Sequence, residues 1–167
     1  MHPSIEQIYD AHADALYAFP LNCCRDESLV QDAIQEVFLK LARNPSLLRN
    51  FHRRAFLLRT AHNALRDLTR RNATRVTYEQ RLIEQSPTLL LPVFPIEDDG
   101  FRLTIETAME SLPEEQRSVL HLKLWEDLTF SQIGETLEIS PHTAASRYRY
   151  ALDKLRDLLR PVYEERR

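Results

Sequence analysis

"SQIGETLEISPHTAASRYRY", residues Ser131–Tyr150, holds two helical patterns separated by almost nothing. The first stops near Leu137 and the second begins at Pro141. Ser140 is a good helix N-cap, because its hydroxyl can accept from a free amide of the first turn, and Pro141 fits a first helical position that needs no amide donor. Gly134 lacks a Cβ and so permits close approach of another backbone. The second helix repeats apolar residues at Ala144, Tyr148, Ala151, Leu155 and Leu158, in steps of four, three, four and three.

This is the pattern of a helix-turn-helix, whose second helix enters the DNA major groove. The outward side of that helix suits the task. His142, Ser146 and Arg149 form one polar line, and Thr143, Arg147 and Tyr150 form the next. Arginine binds guanine edges or phosphate, and Ser, Thr and His do either less selectively. Thr129 and Ser131 open the preceding helix, where they can cap it and reach the DNA backbone. The alternative is an ordinary solvated helix hairpin. Glu138 favours it, since a left-handed turn residue other than glycine costs about 1 kcal/mol or more.

Outward from this stretch, apolar spacing is helical almost throughout. Helices are expected at about 5–19, 27–42, 53–71, 101–111, 113–125, 129–137 and 141–159. Val30, Ile34, Val37 and Leu41 form one stripe, and Leu58, Ala61, Leu65 and Leu68 another. Asn44-Pro45 ends the second helix, and Ser111 is expected to cap the helix that opens at Pro113. Periodicity fails from residue 72 to 100, where "SPTLLLPVFPIEDDG" carries three prolines and an acidic run. The expectation is therefore an all-α chain. An N-terminal helical bundle (1–72) and a C-terminal helix-turn-helix domain (104–167) are joined by a flexible linker (73–103).

Composition narrows the function classes. Only two glycines occur, Gly100 and Gly134, which disfavours a glycine-rich phosphate loop. Cys23 and Cys24 are adjacent and alone, a poor geometry for a disulfide and too few for a cysteine metal site. No signal pattern is present, and the longest apolar run, "LLLPVF", is far short of the ~20 residues that span a bilayer. Neither a cofactor nor a metal is expected. The formal net charge of −3 does not announce a nucleic-acid binder, but the charge is segregated. Five arginines lie between Arg66 and Arg81, whereas Glu97, Asp98 and Asp99 cluster elsewhere.

The helix "AFLLRTAHNALRDLTRR" carries a polar line of Arg59, Asn63, Arg66 and Arg70, with Phe51 and Phe56 nearby as stacking surfaces. Arginines with an amide among them suit a nucleic-acid backbone and an unpaired base. A solvated basic helix, with Asp67 pairing Arg70 or Arg71, would look the same.

Taken in order, "DAIQEVFLKL" (32–41), "RTAHNALRDLTRR" (59–71) and "LPEEQRSVLHLKLWEDLTFSQIGETLEISPHTAASRYRYALDKLRDLL" (112–159) resemble a bacterial sigma factor of the small, extracytoplasmic-function type in the sigma-70 family. The resemblance covers most of residues 5–160. It implies two helical domains that bind core RNA polymerase and recognise the −10 and −35 promoter elements. By the same resemblance, Asp32, Gln35 and Glu36 match the helix that docks on the β′ clamp, with the β subunit as a further contact. Arg59, His62, Asn63, Arg66 and Arg70 match the helix facing the −10 element. Phe51, His52 and Arg53 match the loop that captures an extruded base of the single strand. Thr129, Ser140, His142, Thr143, Ser146, Arg147 and Arg149 match the surface reading duplex −35 DNA.

Four departures stand out. The loop before the −10 helix is a few residues short, and Ala55 stands where an aromatic is usual. His62 and Ala145 occupy positions often basic and often lysine. The implied protein is a promoter-specificity subunit with no catalytic residues, located in the cytoplasm with the nucleoid, with an anti-sigma factor as a further partner and no membrane contact. The rival readings are a stand-alone helix-turn-helix regulator, a thiol- or metal-dependent enzyme, and a module that binds polymerase without reading promoters.

Overall fold

The computed structural model describes residues 3–49, 54–73 and 99–165. Among these residues the chain is helical, with no strand. The first helix, α1 (Ile5–Cys24), opens on a reciprocal cap: the Ser4 hydroxyl accepts the Gln7 amide at 3.2 Å and the Gln7 side chain accepts the Ser4 amide at 2.8 Å. Instead of stopping near Phe19, α1 runs through Pro20. A proline inside a helix forfeits a backbone bond and typically costs ~3 kcal/mol. Here the last turn buries Phe19, Leu21, Asn22 and Cys23, which offsets that loss.

The second helix, α2 (Glu27–Arg43), is capped by Asp26, whose carboxylate accepts the Leu29 amide at 3.1 Å. Val30, Val37 and Leu41 are fully buried, and Ile34 packs beside them. Asn44 ends the helix and a 3₁₀ turn follows (Pro45–Arg49). In α3 (Arg54–Ala73), Leu57, Leu58, Ala61 and Leu65 face inward against α1 and α2.

The C-terminal half comprises α4 (Asp99–Glu110), α5 (Glu114–Leu124), α6 (Phe130–Leu137) and α7 (Pro141–Glu165). α4 runs across the expected boundary at residues 103 and 104. Ser111 does not cap α5: Pro113 holds the cap position with no side-chain bond, and the Ser111 hydroxyl instead donates to the Ala108 carbonyl at 2.7 Å. Ser111 lies two positions too early to reach the free amides of α5 and closes α4 instead. α7 continues past Leu159 through Pro161. Ala144 and Ala151 are buried as expected, but Leu158 is 42% exposed, and Leu152 joins Leu155 against Ile105 and Met109.

The two halves share one core. Phe19 and Leu58 from the N-terminal half pack in the same cluster as Val119, Leu122, Ile133 and Ala144 from the C-terminal half. Each large apolar side chain fully buried contributes roughly 1.5–3 kcal/mol, whereas an exposed ion pair contributes about 0–1. Apolar contact therefore drives the association of the halves, and polar pairs across the seam set its register.

Candidate nucleic-acid interface

The helix-turn-helix is fixed by local chemistry at both ends. Thr129 caps α6: its hydroxyl accepts the Gln132 amide at 3.2 Å, and the Gln132 side chain accepts the Thr129 amide at 2.9 Å. Glu138 occupies the turn in the left-handed region, φ 57°. The Ile139 amide then reaches back to the Gly134 carbonyl at 2.9 Å. A Cβ on Gly134 would stand 2.6 Å from the Ile139 carbonyl oxygen, inside any tolerable contact. The motif thus needs its glycine where the turn packs on α6, and leaves the left-handed position to a glutamate.

Ser140 starts α7 as expected, accepting the Thr143 amide at 3.0 Å, with its hydroxyl 2.8 Å from that of Thr143. His142 and Arg149 are exposed, and Thr143, Ser146 and Arg147 are half-buried along the same side. The Arg149 guanidinium lies 5.5 Å above the Tyr150 ring, and Arg147 pairs with Glu115 at 3.3 Å. These residues come together on one accessible face of α7, with the exposed Ser131 and Thr129 at the start of α6.

The polar line of α3 also comes together, but its surroundings differ. Arg66 meets the Glu138 carboxylate at 2.8 Å, and Arg59 approaches the other oxygen at 3.9 Å. Each of the three side chains keeps 39–44% of its surface. His62 is half-buried with its ring 6.1 Å from that of Phe19. Burial, reinforced by the Arg66 charge and only partly opposed by Glu138, holds the imidazole below its ordinary 6.5, which keeps it neutral at neutral pH. The Asn63 side-chain oxygen is buried with no hydrogen-bond partner among the described residues. Arg70 is exposed. A cleft of about 420 Å³, lined in part by Arg59, Ser131, Glu138 and Ser140, lies between α3 and the turn. Arg59 and Arg66 therefore sit beside the turn that follows α6, partly covered by Glu138, while Arg70 stands in solvent. Phe51, His52 and Arg53 lie outside the described residues. Asp32, Gln35 and Glu36 are all exposed on α2.

Sequence reasoning missed a polar network at the seam. Glu126, in the α5–α6 connection, is buried and pairs with Arg54 at the start of α3. Its other oxygen lies 3.4 Å from His121 Nε2, and His121 Nδ1 lies 2.8 Å from the Asn22 side-chain amide. A neutral imidazole protonated on Nε2 satisfies both contacts. Burial pushes the Glu126 carboxyl up, but the His121 hydrogen bond and the Arg54 charge outweigh it and hold the group below its ordinary 4.5. Arg117 donates to the Asn22 carbonyl at 2.8 Å and to the Leu112 carbonyl at 3.0 Å. Cys23 is buried 3.3 Å from the Ser118 hydroxyl, and burial drives its thiol up to about 12, far from thiolate chemistry at neutral pH. Among the described residues no cluster of three or more His, Cys, Asp or Glu could hold a metal ion, and no helix is long and apolar enough to cross a membrane.

Comparison with known proteins bears on both halves. Residues 8–75 match the family model "Sigma-70 region 2", and residues 108–157 match "Sigma-70, region 4". The ECF RNA polymerase sigma factor SigL of Mycobacterium tuberculosis is 30% identical over 157 residues, spanning 89% of this chain and 85% of the relative. The chain belongs to the extracytoplasmic-function sigma factors of the sigma-70 family. The sigma factor CarQ of Myxococcus xanthus is 27% identical, with 93% and 89% of the two chains covered. SigM of Bacillus subtilis is 23% identical, with 96% and 95% covered. In fold, the sigma factor resembles RpoE, solved in complex with the anti-sigma factor NepR from Bartonella quintana (TM-score 0.70, 18% identity, 93% and 96% covered). As a family member it is a promoter-specificity subunit, a transcription initiation factor that works with core RNA polymerase and promoter DNA, and not a stand-alone regulator.

Proposed function

We propose that the sigma factor divides promoter recognition between α7 and α3. The face of α7 carrying His142, Thr143, Ser146, Arg147 and Arg149 reads the duplex −35 element, with Thr129 and Ser140 aiding the phosphate contacts. Arg59, His62, Asn63, Arg66 and Arg70 of α3, with Phe51, His52 and Arg53, take the non-template strand of the −10 element once it is unpaired. Asp32, Gln35 and Glu36 on α2 dock on the β′ clamp, and the β subunit meets the C-terminal half. The single observation that supports this division is the presence of two separate donor-rich helical lines, each inside the stretch that matches its own sigma-70 region.

The division has a physical consequence. Contacts made only to the parted strand stabilise the melted promoter relative to the duplex, and a ligand shifts an equilibrium only through such differential affinity. The polymerase supplies the chemistry of RNA synthesis, and this chain supplies address and strand opening, with no catalytic group of its own. The site of action is the cytoplasm, with the nucleoid. An anti-sigma factor, by analogy with the partner of the structurally similar RpoE, is the partner expected to hold the chain inactive.

The test is paired DNase I and permanganate footprinting of a promoter with core polymerase plus this chain, the nuclease reporting duplex protection and permanganate reporting unpaired thymines. Protection over the −35 element with reactive thymines at −10 is expected. Arg59→Ala combined with Arg66→Ala should abolish the reactivity while leaving the −35 protection. Loss of both signals together, or of neither, would remove the division.

A further inference from the structure

Tyr150 continues the outward line of Thr143 and Arg147 on α7 and takes no part in the contacts proposed above. Its ring is 57% exposed, with Arg149 exposed beside it and the Arg149 guanidinium 5.5 Å from the ring centroid. Side chains on a helix lean toward its N-terminus, so this ring covers the turn that holds Ser146 and Arg147. Exposed apolar groups scattered singly over a surface need no explanation. Leu39 and Leu103 are of that kind, on α2 and α4. Tyr150 differs in its neighbours: it lies on the face assigned to duplex DNA, one turn beyond Ser146, and is stacked with a guanidinium.

A tyrosine brings a neutral hydroxyl and a large apolar ring to a major groove. The hydroxyl is a weak substitute for arginine or lysine at a phosphate, so the ring is the larger asset. Of the four bases, only thymine meets it there with an apolar group, the C5-methyl, whereas guanine presents N7 and O6 to an arginine. The stack also restrains Arg149, which reduces the conformational freedom that its side chain gives up on reaching a base. We infer that Tyr150 is a specificity-determining residue of −35 recognition, its ring packing on the C5-methyl of a thymine while the stacked Arg149 reads an adjacent base pair. α7 then selects by methyl contact as well as by hydrogen bond, and the −35 element carries a thymine at a fixed distance from the base pair that Arg149 binds.

This inference rests on α7 being the −35 reader, and the experiment separates the two. Holoenzyme is assembled from core polymerase and the full-length chain, wild type or carrying Tyr150→Ala or Tyr150→Phe, each verified as folded by circular dichroism. Promoter duplexes carry deoxyuridine in place of one −35 thymine at a time, which removes the methyl and leaves base pairing intact. At one position the replacement should weaken wild-type binding roughly two- to fivefold, the loss of one buried methyl group. Tyr150→Ala should bind the natural duplex less tightly and be indifferent to that replacement, whereas Tyr150→Phe should keep the sensitivity. Equal responses of wild type and Tyr150→Ala to every replacement, or a −35 element without thymine, would overturn the assignment of Tyr150. A uniform loss shared by Tyr150→Ala and Tyr150→Phe would put the hydroxyl on a phosphate and overturn it too. Should Arg147→Ala and Arg149→Ala both leave binding equally dependent on the −35 sequence, the reading face itself is misassigned. Retained arginine dependence with no deoxyuridine effect removes only the tyrosine.

Discussion

Arg54, at the start of α3, pairs with Glu126, a buried carboxylate in the connection that precedes the helix-turn-helix. The pair spans the seam between the sequence halves that match sigma-70 regions 2 and 4. The arginine keeps 47% of its side chain exposed, so water can still reach it if the partner is lost. Glu126→Gln should therefore cost about 2 kcal/mol, the range of a charge-assisted hydrogen bond. Thermal unfolding would show this as a melting temperature lower by about 4–8 °C.

The pH dependence follows from the depressed groups at the seam. His12 and His62 are both held below their ordinary 6.5, each by burial first and a neighbouring arginine second. The unfolded chain then takes up protons before the folded one. Their contribution is present above about pH 6.5 and is lost as the pH falls through the folded values. Glu126, also depressed, contributes above about 4.5 and loses that contribution as the pH falls further. Melting temperature measured from pH 8 to pH 3.5 should decline in two stages, with the lower stage reduced in Glu126→Gln.

Gly134→Ala tests the turn. The new methyl would meet the Ile139 carbonyl at 2.6 Å and the Pro141 nitrogen at 3.3 Å, both backbone atoms that cannot rotate away. Overpacking of this kind costs about 1–3 kcal/mol. Denaturant unfolding should show that loss, together with weakened −35 dependence, because α7 is re-aimed.

The helical layout was legible in the sequence because each amphipathic helix repeats its apolar residues locally. Val30, Val37 and Leu41 announce α2, and Ser140-Pro141 announces α7. The left-handed residue of the turn was foreseeable, as was the close backbone approach at Gly134. The seam was not legible. Asn22 and His121, or Cys23 and Ser118, meet across almost a hundred residues, and no spacing marks such a pair. Glu138 was read as a poor turn residue, whereas its carboxylate has two arginines of another helix to face. α1 outruns its expected end near residue 19 for a similar reason: tertiary burial of its final turn overrides the local cost of Pro20.

Arg149 and Arg147 should differ in effect. Arg149 is exposed, while Arg147 is held by Glu115. Arg149→Ala is expected to reduce promoter binding by the holoenzyme by roughly 1–3 kcal/mol if it reads a base. The loss should fall on templates with an intact −35 element and vanish on those lacking it. Arg147→Ala should lose less, and filter binding across a −35 substitution series would resolve the two.

The central claim is that this chain gives core RNA polymerase its promoter address. The most direct measurement is run-off transcription with purified core on a genomic template library, with and without the folded chain. Discrete start sites, each preceded by shared −35 and −10 sequences and absent with core alone, are the predicted result. RNA from core plus folded chain no different from that of core alone would contradict it.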